Sequence, residues 1–103
     1  MRCRDKQSCQ NWYERELRQA SERLEQMRNC VHRFRLDLRP EWEHRLDEVR
    51  GRLNRSSARL EALRRSNGDG WRTAAVHAEE AFTALAEALD RIDESMKVRA
   101  LAA

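Results

Sequence analysis

The fold turns on "RFRLDLRPEWEHRL", residues 33–46. Phe34, Leu38, Trp42 and Leu46 recur every four residues, so an apolar stripe runs almost straight through Pro40. If the proline only bends a helix, the chain is one long rod with a return helix, dimerised to cover the exposed stripe. If it breaks the helix, the chain is a bundle. A proline inside a helix removes a hydrogen bond and clashes with the preceding turn, at about 3 kcal/mol. In the first turn its missing N–H forfeits nothing. Proline also biases the residue before it, Arg39, away from the helical region. We therefore read a break, with Pro40 in the first turn of a new helix.

Segments of helical periodicity extend on both sides of that break. The first carries Tyr13, Leu17, Ala20, Leu24, Met27, Val31, Phe34 and Leu38. The second carries Trp42, Leu46, Val49, Leu53, Ser56, Leu60 and Leu63, with one polar lapse at Ser56. The third carries Trp71, Ala75, Ala78, Phe82, Leu85, Leu89, Ile92 and Met96. Steps of three and four are those of helices that pair side by side. No segment alternates with the period of two that a strand needs.

The second corner is "SNGDGWRTAA", residues 66–75. Gly68 suits the left-handed position after a helix, and Asp69 suits the N-cap of the next. A link this short makes neighbouring helices antiparallel. A phosphate-cradling loop would need more glycine and a preceding strand. At the first helix, Asn11 and Glu14 have capping-box spacing. Acidic residues at the start of the second helix and arginines along its latter half both suit the helix dipole. The expected architecture is an all-α, antiparallel, up-down-up three-helix bundle. A polar leader (1–10) precedes one domain (11–101), with helices over about 11–38, 40–66 and 70–100.

With 103 residues the chain has room for one domain. Charged residues make up 38% of it, against about 25% in an average domain. The net charge is only +3, and Lys6 and Lys97 are the sole lysines among 21 basic residues. No apolar run is long enough for a membrane span, so a cytoplasmic location is expected. Three cysteines are an odd number and do not suggest a disulfide framework.

Residues 67 to 89 resemble a recurrent tail of short bacterial coiled-coil proteins, sometimes labelled stress-response or apolipoprotein-like. That group has a Gly-Asp-Ala-Trp corner, then an alanine and an aromatic, then a leucine and a final apolar residue. Here the pattern reads Gly68-Asp69-Gly70-Trp71, Ala81-Phe82, Leu85 and Leu89. Upstream, "EWEHRLDEVRGRLNRSSARLEAL" is similar to the group's Glu-Tyr-Glu segment, with Trp42 in the tyrosine's place, and "NWYERELRQ" resembles its first helix. The resemblance implies a helical fold and a role connected with stress, and it carries over no catalytic residues.

Chemistry is sparse. Cys30 and His32, two apart on a helix, face different ways and make poor joint ligands. Cys30 flanks the seam and reads as a small, partly buried residue. His32, His44 and His77 lie on separate segments at outward positions. No catalytic, cofactor or metal residues are assigned. The slim bundle offers no pocket that would perturb carboxylates into an acid/base pair, so an enzyme and a small-molecule substrate are not expected. Cys3 and Cys9, beside Arg2, Arg4 and Lys6, are candidate redox thiols. Arg28, Arg33, Arg35 and Arg39, with Arg52, Arg55 and Arg59, are candidate contacts for a polyanion. Opposite charge on the second and third helices is expected to pair across the bundle and set register. The first functional reading is a non-enzymatic bundle acting by contact with a protein partner or by self-association. The second is an electrostatic binder of nucleic acid or an anionic lipid surface.

Overall fold

Pro40 opens a helix and does not bend one. The computed structural model describes residues 3 to 102, with side chains through residue 99. Its helices are α1 (Lys6–Val31), α2 (Arg39–Arg65) and α3 (Gly70–Ala102). Pro40 lies in the first turn of α2. Arg39, expected outside the helix, is its first residue, and Leu38 before it also has helical torsions (φ −97°, ψ −20°). The Arg39 guanidinium explains this: it donates to the carbonyls of Phe34 (3.2 Å) and His32 (2.5 Å). Those bonds satisfy acceptors left open where α1 ends and hold the turn against the steric bias of the proline.

α1 is displaced towards the N-terminus relative to the sequence reading, which placed it over 11–38. Asp5 is its N-cap, accepting from the Ser8 amide at 2.8 Å. Asn11 lies within the helix and accepts from the Gln7 side chain at 3.0 Å. Hydrogen bonding from the Ser8 backbone, then its side chain, lowers the Asp5 pKa. A carboxyl lowered on folding stabilises above its unfolded pKa, and this contribution is lost as pH falls through the folded value. At the other end α1 stops at Val31. Phe34 and Leu38 still pack on the core from the turn that follows.

All three helices pack against one another. Arg64 at the end of α2 reaches Glu14 near the start of α1 at 2.7 Å, so α1 and α2 are antiparallel. Tyr13 stacks on Phe82 with ring centroids 4.8 Å apart, and Arg23 pairs with Asp90 at 3.1 Å, so α1 and α3 run parallel. The result is an up-down-up bundle measuring 53 × 20 × 16 Å. No described helix is long and apolar enough to cross a membrane.

The seams form the core. Every seam residue predicted from periodicity is buried or half-buried. Tyr13, Leu24, Val31, Trp42, Leu60, Leu63, Phe82, Leu85 and Leu89 belong to a single cluster. Trp12 and Trp71 pack near one end, while Trp42 meets Phe34 edge-on at 5.5 Å at the other. At the second corner Gly68 is left-handed (φ +55°), where a side chain would be strained. Ser66 closes α2, its hydroxyl donating to the Leu63 carbonyl at 2.6 Å.

Ser56 is the exception within the seam. It is fully buried (0% exposed), and among the described residues its hydroxyl has no hydrogen-bond partner. An unsatisfied buried hydroxyl costs about 1–3 kcal/mol. Ser56→Ala deletes that group, loses only one heavy atom of packing and improves helix propensity. It should therefore stabilise the protein by about 1 kcal/mol, read as a higher denaturation midpoint at unchanged slope. A lower midpoint would mean that the hydroxyl is satisfied by bound water.

Candidate functional site

Two grooves flank α3, and their walls differ in chemistry. The first lies between the parallel helices α1 and α3. Three hollows follow one another along it. One of about 270 Å³ has Trp12, Tyr13 and Phe82 as aromatic walls and Glu16, Glu87 and Asp90 among its acids. A small one of about 60 Å³ follows beside Ala20, Leu85 and Leu89. The third, about 310 Å³, is lined by Met27, Cys30 and Met96 with Arg23, Asp93 and Lys97. Exposed Ala86 borders the first two and marks the middle of the groove. The seams create this geometry. Ala20 and Ala86 stand where larger side chains would fill the space between the helices, and the apolar floor belongs to the core cluster.

The second groove lies between α2 and α3. Arg52, Arg55 and Arg59 form its α2 wall, His77 and Glu80 stand on the α3 side, and Ala81 and Ala84 also line it, around about 180 Å³. Ala81 belongs to the heptad of small residues Ala74, Ala81 and Ala88, all at least half-buried. It faces α2, which identifies the neighbour that those small side chains admit. Among the described residues, Arg52, Arg55 and Arg59 have no ion-pair or hydrogen-bond partner. The expected pairing of opposite charge between α2 and α3 is therefore not realised by these three. Two inter-helix ion pairs, Arg23–Asp90 and Arg64–Glu14, involve α1 instead.

The seven arginines named as polyanion contacts thus fall into two groups. Arg28 is half-buried in a hollow of about 200 Å³ with His32 and the acids Glu43 and Asp47. Arg33 is exposed in the turn after α1. Arg35 pairs with Asp37 at 3.3 Å, and Arg39 is committed to the carbonyls of His32 and Phe34. Arg35 and Arg39 are thus committed within this corner, whereas Arg52, Arg55 and Arg59 line one hollow together.

The leader is also not what the sequence suggested. Cys3 and Cys9 form a disulfide, with Cα atoms 5.1 Å apart, inside the range a disulfide spans. They are therefore not free redox thiols in this state. The cause is local: with Asp5 capping α1, the chain before it turns back and brings Cys3 over the first turn. Cys9 is fully buried and Cys3 packs against the core. Lys6 donates to the carbonyls of Arg64 (2.9 Å) and Ser66 (2.6 Å), tying the start of α1 to the end of α2. Arg2, named beside the cysteines, lies outside the described residues. Cys30 is the free cysteine and is exposed, not partly buried as expected, because it stands one position before the seam residue Val31. His32, His44 and His77 are exposed, and His44 lies 3.5 Å from Glu48. Among the described residues no group of three His, Cys, Asp or Glu is placed to hold a metal ion.

Compared with protein-family models, curated proteins and solved structures, the chain matches none.

Proposed function

We propose that this chain is a non-enzymatic helical interaction module that receives an amphipathic helix of a partner protein along the α1–α3 groove. One observation carries the reading: successive hollows with apolar floors line a single seam between two parallel helices. A further helix laid there would complete a four-helix arrangement, the packing such grooves accept. Charge selects the occupant. Glu16 and Glu87 rim the aromatic end, so the matching helix is apolar on one face and basic on the flank that meets this end.

Ala86→Arg tests the reading, because it fills the middle of the groove at an exposed position and leaves the core untouched. A helical peptide of leucine and lysine, titrated while tryptophan emission is followed, should perturb the wild type through Trp12. It should bind Ala86→Arg at least about tenfold more weakly. Equal binding to both proteins, or binding to neither, would overturn the proposal. Sedimentation equilibrium across concentration covers the other occupant: self-association abolished by Ala86→Arg would replace the foreign helix with a second copy.

The stress connection rests on the resemblance of residues 67 to 89. A cytoplasmic setting is the accompanying proposal, and the Cys3–Cys9 disulfide bears on it, since such bonds persist in oxidising surroundings. In a reducing cytosol the disulfide would be the oxidised state of the pair.

A further inference from the structure

We infer that the α2–α3 groove is an anion site for a short linear oligophosphate, held by the guanidinium groups of Arg52, Arg55 and Arg59. The inference is independent of the helix-receiving groove on the other flank of α3.

The three arginines are at i, i+3 and i+7 on α2, so they follow one line along the helix, about 10 Å long at 1.5 Å per residue. All three line the same hollow. Like charges at these spacings oppose one another. Elsewhere on α2, Arg45 pairs with Glu41, Arg64 with Glu14 and Glu61, and Arg65 with Glu61. Among the described residues, Arg52, Arg55 and Arg59 pair with no acid. Glu80 is the one carboxylate in the lining and bonds to none of the three. Arg52 is half-buried, so its stem is held against the groove wall and its position along the line is restricted. Uncompensated guanidinium groups converging on one hollow are the arrangement that phosphate oxygens satisfy, each able to take two parallel N–H bonds. His77 supplies a further ring donor from the opposite wall.

The shape and the walls narrow the ligand. A row of three cations suits consecutive phosphate groups better than a single one. No Trp, Tyr or Phe lines the hollow, so nucleobases would lack the large aromatic platform on which single strands stack, and the phosphates are what this lining recognises. The groove is recessed between two helices and has Glu80 within it, whereas a flat bilayer surface favours a protruding basic face with a buried apolar flank. Ala81 and Ala84 keep that side low, leaving room for an extended chain of phosphates along α2.

The test uses the full chain with tripolyphosphate as probe, in calorimetric titrations at low salt. One site is expected, bound at least about tenfold more tightly than inorganic phosphate and weakening steeply as salt rises. Arg55→Gln with Arg59→Gln, both at exposed positions and with glutamine a good helix former, should weaken binding at least about tenfold at an unchanged circular-dichroism spectrum. Arg15→Gln with Arg18→Gln removes the same charge from exposed α1 and should leave affinity unchanged. A nucleoside triphosphate should bind no better than tripolyphosphate. Equal loss in both double variants would reduce the effect to net charge and overturn the site. No binding of tripolyphosphate would do the same. Tighter binding to a single-stranded DNA oligomer or to phosphatidylglycerol vesicles than to tripolyphosphate would overturn the ligand class.

Discussion

Phe82→Ala should remove about 4 kcal/mol of stability and lower the melting temperature by about 15–30 °C. Phe82 is 7% exposed and stacks on Tyr13 across the α1–α3 interface at 4.8 Å. Truncating a buried phenylalanine costs about 3–5 kcal/mol from lost transfer energy and the cavity left behind. Two hollows already border Phe82, so the cavity would open into them and fill with water instead of collapsing. Phe82→Leu keeps most of the volume and should lose less than half as much.

The same position tests the architecture. In the bundle, Tyr13 and Phe82 touch, so Tyr13→Leu and Phe82→Leu should be coupled by about 0.5–1.5 kcal/mol in a double-mutant cycle. In a long bent rod with only α3 folded back on α2, the two residues would be remote and their effects would add. Additivity within about 0.3 kcal/mol would therefore sink the three-helix arrangement.

The core was legible because burial here follows period. Residues such as Leu24, Val49 and Leu89 lie where steps of three and four put them, and no tertiary contact had to override propensity. The helix ends were harder for a specific reason. Phe34 and Leu38 keep the stripe's spacing although α1 ends at Val31, because a turn can present side chains to the same core as a helix. Asn11 resembled a cap through its spacing to Glu14, but Asp5 lies further upstream and takes the Ser8 amide. Parity misled on the cysteines. An odd total says nothing against a local pair, and the N-terminal two are joined because a capped helix start folds the chain back on itself.

The candidate sites were half legible. The spacing of Arg52, Arg55 and Arg59 puts them on one line of a helix in any arrangement. Whether they meet acids depends on how α2 and α3 rotate about their axes, which segment charge does not fix. Asp90 faces Arg23 on α1, and Glu80 stands in the arginine hollow without closing on a guanidinium. The α1–α3 groove could not be read at all. It arises from small residues on two separate helices, Ala20 and Ala86, and their proximity depends on the assembled bundle.

Cys3→Ser should lower stability by about 2 kcal/mol. The disulfide closes a short loop, with a sequence separation of 6 between its cysteines. The chain-entropy relation then gives about 2 kcal/mol from restriction of the unfolded state. Cys3→Ser leaves Cys9 as a buried thiol, which packs like a small apolar side chain. Cys9→Ser also removes the bridge but places a hydroxyl at a fully buried position, adding about 1–3 kcal/mol if no partner is found. The order Cys9→Ser below Cys3→Ser below wild type is therefore expected in urea denaturation. Reductant should bring the wild type down to Cys3→Ser and leave that variant where it was. Amide exchange should localise the loss to the first turn of α1, where Lys6 holds the carbonyls of Arg64 and Ser66. If reductant leaves the wild-type midpoint in place, the bridge constrains nothing that unfolding releases. Lys6 and the buried face of α1 would then be what fixes the start of the bundle.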